Sequence, residues 1–176
     1  VQIVKAVLLI GGTTVMALLV LSHFSWSPID LFGSAADENG AKVYKVNGKA
    51  VRMRDTFILE DASGAELSKI QEKKLSVRDK MTIERGSTQA TVHKRLIGIR
   101  DHYVIDVDDG EDLKAHGNVA QHEYEIKRDG DVVATVSKKW FRVRDTYGVE
   151  IEGEQDVPLI LAITVCIDAM SREVVD

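Results

Sequence analysis

The sequence predicts a mainly β domain, a closed antiparallel barrel of about twelve strands around a central hydrophobic C-terminal helix. Two observations lead to this prediction. One short phrase, an apolar stretch followed by Arg-Asp and then by alternating apolar residues, occurs four times along the chain. One segment near the C-terminus, by contrast, is apolar on every side over residues 157–167.

The N-terminal segment, residues 1–36, is apolar, and three alternatives describe it. Its most apolar part, residues 6–22, is 17 residues long, which is the lower limit for a membrane span. It is therefore a candidate membrane anchor, or else a divergent first hairpin in which residues 14–26 form a buried strand. A signal peptide is the third alternative, because Ser34-Ala35-Ala36 loosely fits a cleavage site, although it lies far beyond the apolar run.

The rest of the chain, residues 37–176, is the predicted barrel domain, and its repeats set the strand order. The repeated Arg-Asp pairs are 24, 22 and 44 residues apart, and Gln121-His122 occupies the place of a degenerate copy in the last interval. A period of about 22 residues suits a β-hairpin unit. The four pairs are Arg54-Asp55, Arg78-Asp79, Arg100-Asp101 and Arg144-Asp145.

Apolar residues alternate with polar ones around each pair, as in Tyr103, Ile105 and Val107, which is typical of strands with one buried face. We predict that each Arg-Asp pair makes a tight reversal, because an Asp side chain can accept a backbone N–H there. The opposite ends of the hairpins carry polar turns such as "DASG" and "RDGD". The result is a meander of short strands, whose exposed edges disappear when the sheet closes.

The apolar C-terminal segment predicts a helix near residues 157–168. Asp156, with Pro158 soon after it, is a typical helix start. An apolar run of eleven residues is too short to cross a bilayer, so we expect the helix to lie inside the barrel. A central strand is the less favoured alternative, because the run is rich in β-branched residues.

Residues 37–170 resemble the LURP-one-related family, whose domain is similar to the tubby C-terminal domain and to phospholipid scramblases. The matching stretches are "VYKVNGKA", "RDTFILED", "VRDKMTIER", "GNVAQHEYEI", "ATVSKKWFRVRDTYGVEI" and "LILAITVCIDAM". This resemblance implies a twelve-stranded barrel with a central helix. Because tubby domains bind phosphoinositide headgroups, it also implies lipid recognition as a hypothesis.

Composition and motifs argue against several functions. The net charge of −5 does not favour nucleic acid as a partner. The five histidines have no spacing typical of a metal site. The single cysteine, Cys166, lies in the most apolar segment, where a thiol behaves as a small hydrophobe. We therefore expect no enzyme activity, no metal and no cofactor.

Basic residues at equivalent places in the repeats give the candidate binding site. If the repeats run round a barrel, these residues form one electropositive band for phosphates or anionic lipid. The alternative is that they are ordinary solvated side chains of a structural or protein-interaction domain, and a scramblase-like membrane protein is a more distant one. A cytoplasmic location is expected, with residues 6–22 as a candidate tether. The band comprises Lys73, Lys74, Lys94, Arg95, Lys138 and Lys139.

Overall fold

The computed structural model describes the backbone of residues 6–9, 14–21, 32–36, 42–51, 54–73, 80–95, 101–137 and 148–172. Side chains are described at Tyr44 and Val46 and over residues 56–73, 80–95, 102–137 and 148–171. The strands are β1 (Ala6–Leu9), β2 (Thr14–Leu21), β3 (Phe32–Ala36), β4 (Lys42–Val51), β5 (Arg54–Asp61), β6 (Glu66–Glu72), β7 (Lys80–Arg85), β8 (Thr88–Arg95), β9 (Asp101–Val107), β10 (Leu113–Asn118), β11 (Glu123–Arg128), β12 (Asp131–Ser137) and β13 (Gly148–Glu152). Helix α1 is Val157–Arg172.

All strand pairings are antiparallel and belong to one sheet. Consecutive strands from β3 to β13 are neighbours, as expected for a meander, and β13 also pairs with β2. The N-terminal half of β2 pairs with β1, and its C-terminal half pairs with β3. The prediction of a mainly β domain with one C-terminal helix is confirmed.

Helix α1 and one face of the sheet form the hydrophobic core. Ile160, Leu161 and Ile163 on the helix are at most 1% exposed, and Ile70 and Tyr103 on the sheet are fully buried. Burial of such apolar side chains contributes on the order of 2 kcal/mol each, which explains why a segment without a polar face forms a helix here. The helix begins where it was predicted and continues four residues beyond the predicted end, to Arg172.

Helix α1 begins at a side-chain cap, as the sequence predicted. A carboxylate oxygen of Asp156 accepts a hydrogen bond from the backbone N–H of Leu159 at 3.1 Å. The same carboxylate forms an ion pair with Arg85, at the end of β7. The start of the helix is therefore attached to the sheet as well as capped.

At the other end of the hairpins, polar turns join β5 to β6, β7 to β8, β9 to β10 and β11 to β12, as predicted. In the turn after β5, one carboxylate oxygen of Asp61 accepts hydrogen bonds from the backbone N–H groups of Ser63 and Ala65 at 2.8 and 2.9 Å. Hydrogen bonds to Ser63 and Ala65 lower the pKa of the Asp61 carboxyl. The carboxylate thus accepts hydrogen bonds from backbone N–H groups in the turn, which the hydrogen bonds between strands do not reach.

The Arg-Asp pairs do not all form the reversals that were predicted. Arg54 and Asp55 already belong to β5, where they pair with Val51 and Ala50 of β4. Asp101 likewise pairs with Gly117 in the sheet. Arg54 and Asp55 are therefore the first two residues of β5, and Asp101 is the first residue of β9. The other members, Arg78, Asp79, Arg100, Arg144 and Asp145, lie outside the described residues.

The N-terminal segment contributes strands to the same sheet. Thr14–Leu21 is β2, which pairs with β13, and Phe32–Ala36 is β3, which pairs with β4. The boundary between residues 36 and 37 therefore falls between two neighbouring strands. Among the residues that the structure describes, no helix is both long enough and apolar enough to span a bilayer.

Candidate functional site

The predicted basic residues that the structure describes lie at one end of the sheet. Strands β6, β8 and β12 run in the same direction, because each is separated from the next by an odd number of antiparallel strands. Lys73 follows β6, and Lys94 and Arg95 are the last two residues of β8. Lys74, Lys138 and Lys139 lie outside the described residues.

The register separates two of these residues that the repeats had aligned. Lys94 lies opposite the fully buried Tyr103 on β9, and its ammonium is 5.7 Å from the Tyr103 ring centroid. Lys94 therefore belongs to the strand face that carries the core. Lys73 is exposed and lies on the opposite, outer face. The predicted band does not form as a single row from these two lysines.

A different row of basic residues crosses the outer face of β6 to β11. The backbone N–H of Lys73 donates to the carbonyl of Lys80 at 2.8 Å, which extends the pairing of β6 with β7. Lys80 then pairs with His93 on β8, His93 with Val104 on β9, Val104 with Lys114 on β10, and Lys114 with Lys127 on β11. We call this set the basic row: Lys73, Lys80, His93, Lys114 and Lys127.

Of the five members of the basic row, the sequence alone singled out Lys73. Lys114 stands between the buried Leu113 and Ala115, so alternation already places it on the outer face. Lys80 likewise precedes the buried Met81. Their alignment with Lys127 depends on the pairing register, which periodicity does not supply.

Acidic side chains gather at the opposite end of the strands. The turn between β9 and β10 and the turn between β11 and β12 carry exposed carboxylates. Exposed carboxylates are therefore concentrated in the turns at this end, close to Lys114 and Lys127. These carboxylates are Asp108, Asp109, Glu111, Asp112, Asp129 and Asp131.

Histidines lie in the basic row and in the row beside it. Nδ1 of His93 is 3.4 Å from a carboxylate oxygen of Asp106. In the next row, His102 pairs with His116, and their rings stack with centroids 4.2 Å apart and an interplanar angle of 25°. Arg95 is the cross-strand partner of His102 on the other side.

A cleft of about 670 Å³ opens at the acidic end, beside the start of α1. Leu67, Val107 and Leu159 line its apolar part. Its two arginines are occupied by groups of the chain itself. Arg85 pairs with Asp156, and Arg128 donates to the side-chain oxygen of Gln155 at 2.8 Å. The cleft therefore does not offer a ready anion site.

The helix brings ionisable groups into the core. Burial, with a smaller contribution from the nearby Asp168, raises the pKa of Tyr124. Burial also raises the pKa of the Cys166 thiol, so this thiol is not activated as a nucleophile. Within the described residues, no group of three or more His, Cys, Asp or Glu side chains is arranged to hold a metal ion.

The chain is thus a mainly β domain with a buried helix and a basic row on its outer surface. It belongs to the LURP-one-related family, whose sequence model matches residues 22–168. The resemblance seen in the sequence is confirmed. No curated protein and no solved structure matches the chain.

Proposed function

We propose that the chain is a non-enzymatic binding module that docks on anionic lipid headgroups through the outer face of β6 to β11. The basic row is the observation that supports this proposal. Neighbouring strands are about 4.8 Å apart, so five steps from Lys73 to Lys127 extend over roughly 24 Å. A row of that length can meet several headgroups at once.

The basic row carries enough positive charges to attract the chain to an anionic membrane. Each Lys or Arg near an anionic leaflet contributes about 1 kcal/mol, and salt weakens the attraction. Two carboxylates offset part of the charge, since Lys127 pairs with Glu125 at 2.8 Å and His93 lies beside Asp106. Lys73, Lys80 and Lys114 supply the remaining excess of positive charge.

The uneven distribution of charge also favours one orientation of the chain at the membrane. The exposed carboxylates of the turns after β9 and β11 lie at the end of the strands opposite Lys73 and Lys80, whereas Lys114 and Lys127 are close to Asp112 and Asp129. Repulsion of the acidic turns and attraction of Lys73 and Lys80 would together turn that end of the row toward the membrane. The negative net charge of the chain therefore does not oppose this mode of docking.

The predicted band extends the basic row in this proposal. Lys73 belongs to both, and Arg95 lies one row away on the same outer face. We propose that Lys74, Lys138 and Lys139 add positive charge at the same end, and that Trp140 or Phe141 provides an interfacial aromatic side chain. Lys94 is not a member of this surface, because it lies on the core side of β8.

The proposal also includes a closed sheet, as the resemblance implied. β2 pairs with β13 along one edge and with β3 along the other, and β3 pairs with β4. A circuit of pairings that passes through β2 would hold the outer face of β6 to β11 in a fixed shape. Docking through a strand face would hold the chain at a cytoplasmic leaflet, with or without a tether at residues 6–22.

Vesicle sedimentation of the full chain tests the proposal. Neutral phosphatidylcholine vesicles are compared with vesicles that also contain phosphatidylglycerol, at low and at high salt. We expect binding only to the acidic vesicles, and loss of binding at high salt. Equal partitioning to both kinds of vesicle would instead favour the structural or protein-interaction domain.

A competition experiment separates a membrane surface from a soluble phosphorylated ligand. Inorganic phosphate and inositol hexakisphosphate are added at constant ionic strength. If the docking needs an extended surface, inorganic phosphate should not release the chain from acidic vesicles. Tight binding of the inositol phosphate without vesicles would identify a phosphorylated small molecule as the ligand.

A further inference from the structure

We propose that the cleft beside the start of helix α1 binds a small amphiphilic amine, a molecule with an apolar tail and a positively charged ammonium group. The cleft shares no residue with the basic row, so this is a second binding site and does not depend on docking at a membrane. Its volume of about 670 Å³ lies within the range of about 300–1,000 Å³ that is typical of small-molecule sites. The residues that line it indicate the class of ligand.

The apolar wall of the cleft is an extension of the hydrophobic core. Leu67 on β6, Val107 on β9 and Leu159 on α1 pack against the core, but each remains partly exposed. The buried side chains of Ile83 and Leu113 also line the cleft. A hydrocarbon tail would cover this apolar surface, and the removal of both from water would stabilise the complex.

The two arginines of the cleft are in contact with other groups of the chain. Arg85 forms an ion pair with Asp156. Arg128 donates to the side chain of Gln155, and its Nε lies 3.7 Å from a carboxylate oxygen of Glu111. The carboxylates of Asp156 and Glu111 therefore offset the two positive charges that would otherwise attract an anion.

A third carboxylate gives the cleft an excess of negative charge. Asp109, in the turn after β9, lines the cleft and is exposed. Within the part of the chain that the structure describes, its side chain forms no ion pair and no hydrogen bond. The positive end of the α1 dipole, equivalent to about half an elementary charge, reduces the excess but does not cancel it. An ammonium group beside Asp109 would gain an ion pair, whereas an anionic headgroup would be repelled.

Calorimetric titration of the full chain with alkylammonium ions tests the inference. Butylammonium, hexylammonium and octylammonium chloride are compared at one ionic strength, below the concentrations at which they form micelles. Burial of one methylene group raises a binding constant by up to about fourfold, so we expect the affinity to rise about 4- to 16-fold with each pair of methylene groups. Octanoate, with a similar tail and the opposite charge, should bind about three- to tenfold more weakly than octylammonium.

Two pairs of matched variants locate the site. Val107→Trp places a large side chain in the cleft, whereas Val104→Trp places the same side chain on the outer face of the same strand. Octylammonium binding should weaken at least about tenfold in the first variant and stay within about twofold in the second, since Val107 contributes to the buried apolar contact. Asp109→Asn should weaken binding about two- to fivefold. Asp108→Asn removes the same charge from a neighbour that does not line the cleft, and it should leave binding nearly unchanged.

Urea titrations followed by circular dichroism establish that each variant is folded. If Val107→Trp does not fold, the series of chain lengths and the pair Asp109→Asn and Asp108→Asn carry the test. An affinity that does not rise with chain length would overturn the inference, and so would equal binding of octanoate and octylammonium. Undiminished binding in folded Val107→Trp, or equal weakening by Asp109→Asn and Asp108→Asn, would also overturn it, because the amine would then bind outside the cleft.

Discussion

Nδ1 of His122 lies 3.7 Å from Oδ1 of Asp168, and the Asp168 side chain is only 5% exposed. The contact joins the turn after β10 to the C-terminal part of helix α1. His122 adopts a left-handed backbone conformation, with φ of 50°, which is uncommon for a residue other than glycine. The contact shows how the helix can continue beyond its apolar run and still bury a carboxyl group.

A double-mutant cycle tests whether His122 and Asp168 stabilise the fold together. We expect His122→Ala and Asp168→Asn each to lower the free energy of unfolding by about 1–3 kcal/mol, because each change alters a buried polar contact. The double variant should lose less stability than the sum of the losses in the two single variants, with a coupling free energy of about 1 kcal/mol. Urea titrations give all four values. Additive effects would show that the two side chains do not stabilise each other.

Charge inside the core is expected to prevent folding. Leu161 is fully buried on α1, so Leu161→Asp would place an unpaired carboxylate among apolar side chains. The variant should show no cooperative unfolding transition by circular dichroism. Leu159→Asp is the matched control on the same helix, and it should remain folded because Leu159 is only partly buried. A cooperative transition in Leu161→Asp would contradict the enclosed helix.

The sequence predicted the helix but not its length. Residues 157–167 are apolar on every side, which favours a helix buried on all its faces. Asp168 is the last residue of the predicted helix, and Ser171 lies beyond its predicted end. The Asp168 side chain lies beside His122, and the hydroxyl of Ser171 donates to the carbonyl of Asp168 at 2.9 Å.

Two strands approach each other so closely at Gly117 that there is no room for a side chain. A Cβ atom at this position would lie 2.6 Å from the carbonyl oxygen of Glu123 and 2.6 Å from Cα of Tyr124. Both are backbone atoms, so the sheet itself would have to move. We expect Gly117→Ala to lower the free energy of unfolding by about 3 kcal/mol or more.

Gly86 provides the control for this substitution. It also has a positive φ, of 54°, but a Cβ atom there would meet nothing within 4 Å. Gly86→Ala should therefore lower the free energy of unfolding by about 1–2 kcal/mol, the cost of a left-handed backbone conformation at alanine. Urea titrations compare the two. Equal losses of stability would mean that the contact with Glu123 and Tyr124 is not the cause.

Burial of Cys166 should make stability fall at alkaline pH. Because burial raises the pKa of this thiol, the folded chain keeps it protonated, whereas the unfolded chain ionises it above about pH 8.5. The contribution of the protonated Cys166 thiol to the free energy of unfolding is complete below that pH and is lost as the pH rises. Between pH 7.5 and pH 9.5 we expect a loss of about 1.4 kcal/mol.

The variant Cys166→Ala isolates the contribution of the thiol. It should be less stable at neutral pH because of the lost packing, but its stability should fall less between pH 7.5 and pH 9.5. A thiol reagent should also label native Cys166 only when denaturant is added. Parallel pH profiles for the two proteins, or rapid labelling without denaturant, would show that the thiol is accessible.

The binding surface was harder to predict than the core, and the reason is the register. The repeats placed Lys73 and Lys94 in equivalent positions, but a shift of one residue along a strand moves a side chain to the other face. Lys94 therefore lies against Tyr103, and the outer place beside Lys80 belongs to His93. Alternation alone gives the face of each lysine, but only the pairing of the strands aligns Lys80 with Lys114.

Charge reversal within the basic row tests the central proposal most directly. Lys114 is an exposed member of the row on β10. Lys69 is also a lysine of the outer face, but it lies toward the acidic end, where it pairs with Glu84 at 3.6 Å. Lys114→Glu and Lys69→Glu change the net charge equally, so a difference between them reports the position of the charge.

The measurement is the binding constant of the full chain and of both variants for phosphatidylglycerol vesicles at low salt. Lys114→Glu should bind at least tenfold more weakly than the unmodified chain, because reversal changes the local charge by two. Lys69→Glu should bind within about threefold of the unmodified chain, since its site is farther from the row than the Debye length. Equal weakening by the two substitutions, or none by Lys114→Glu, would contradict docking through the basic row.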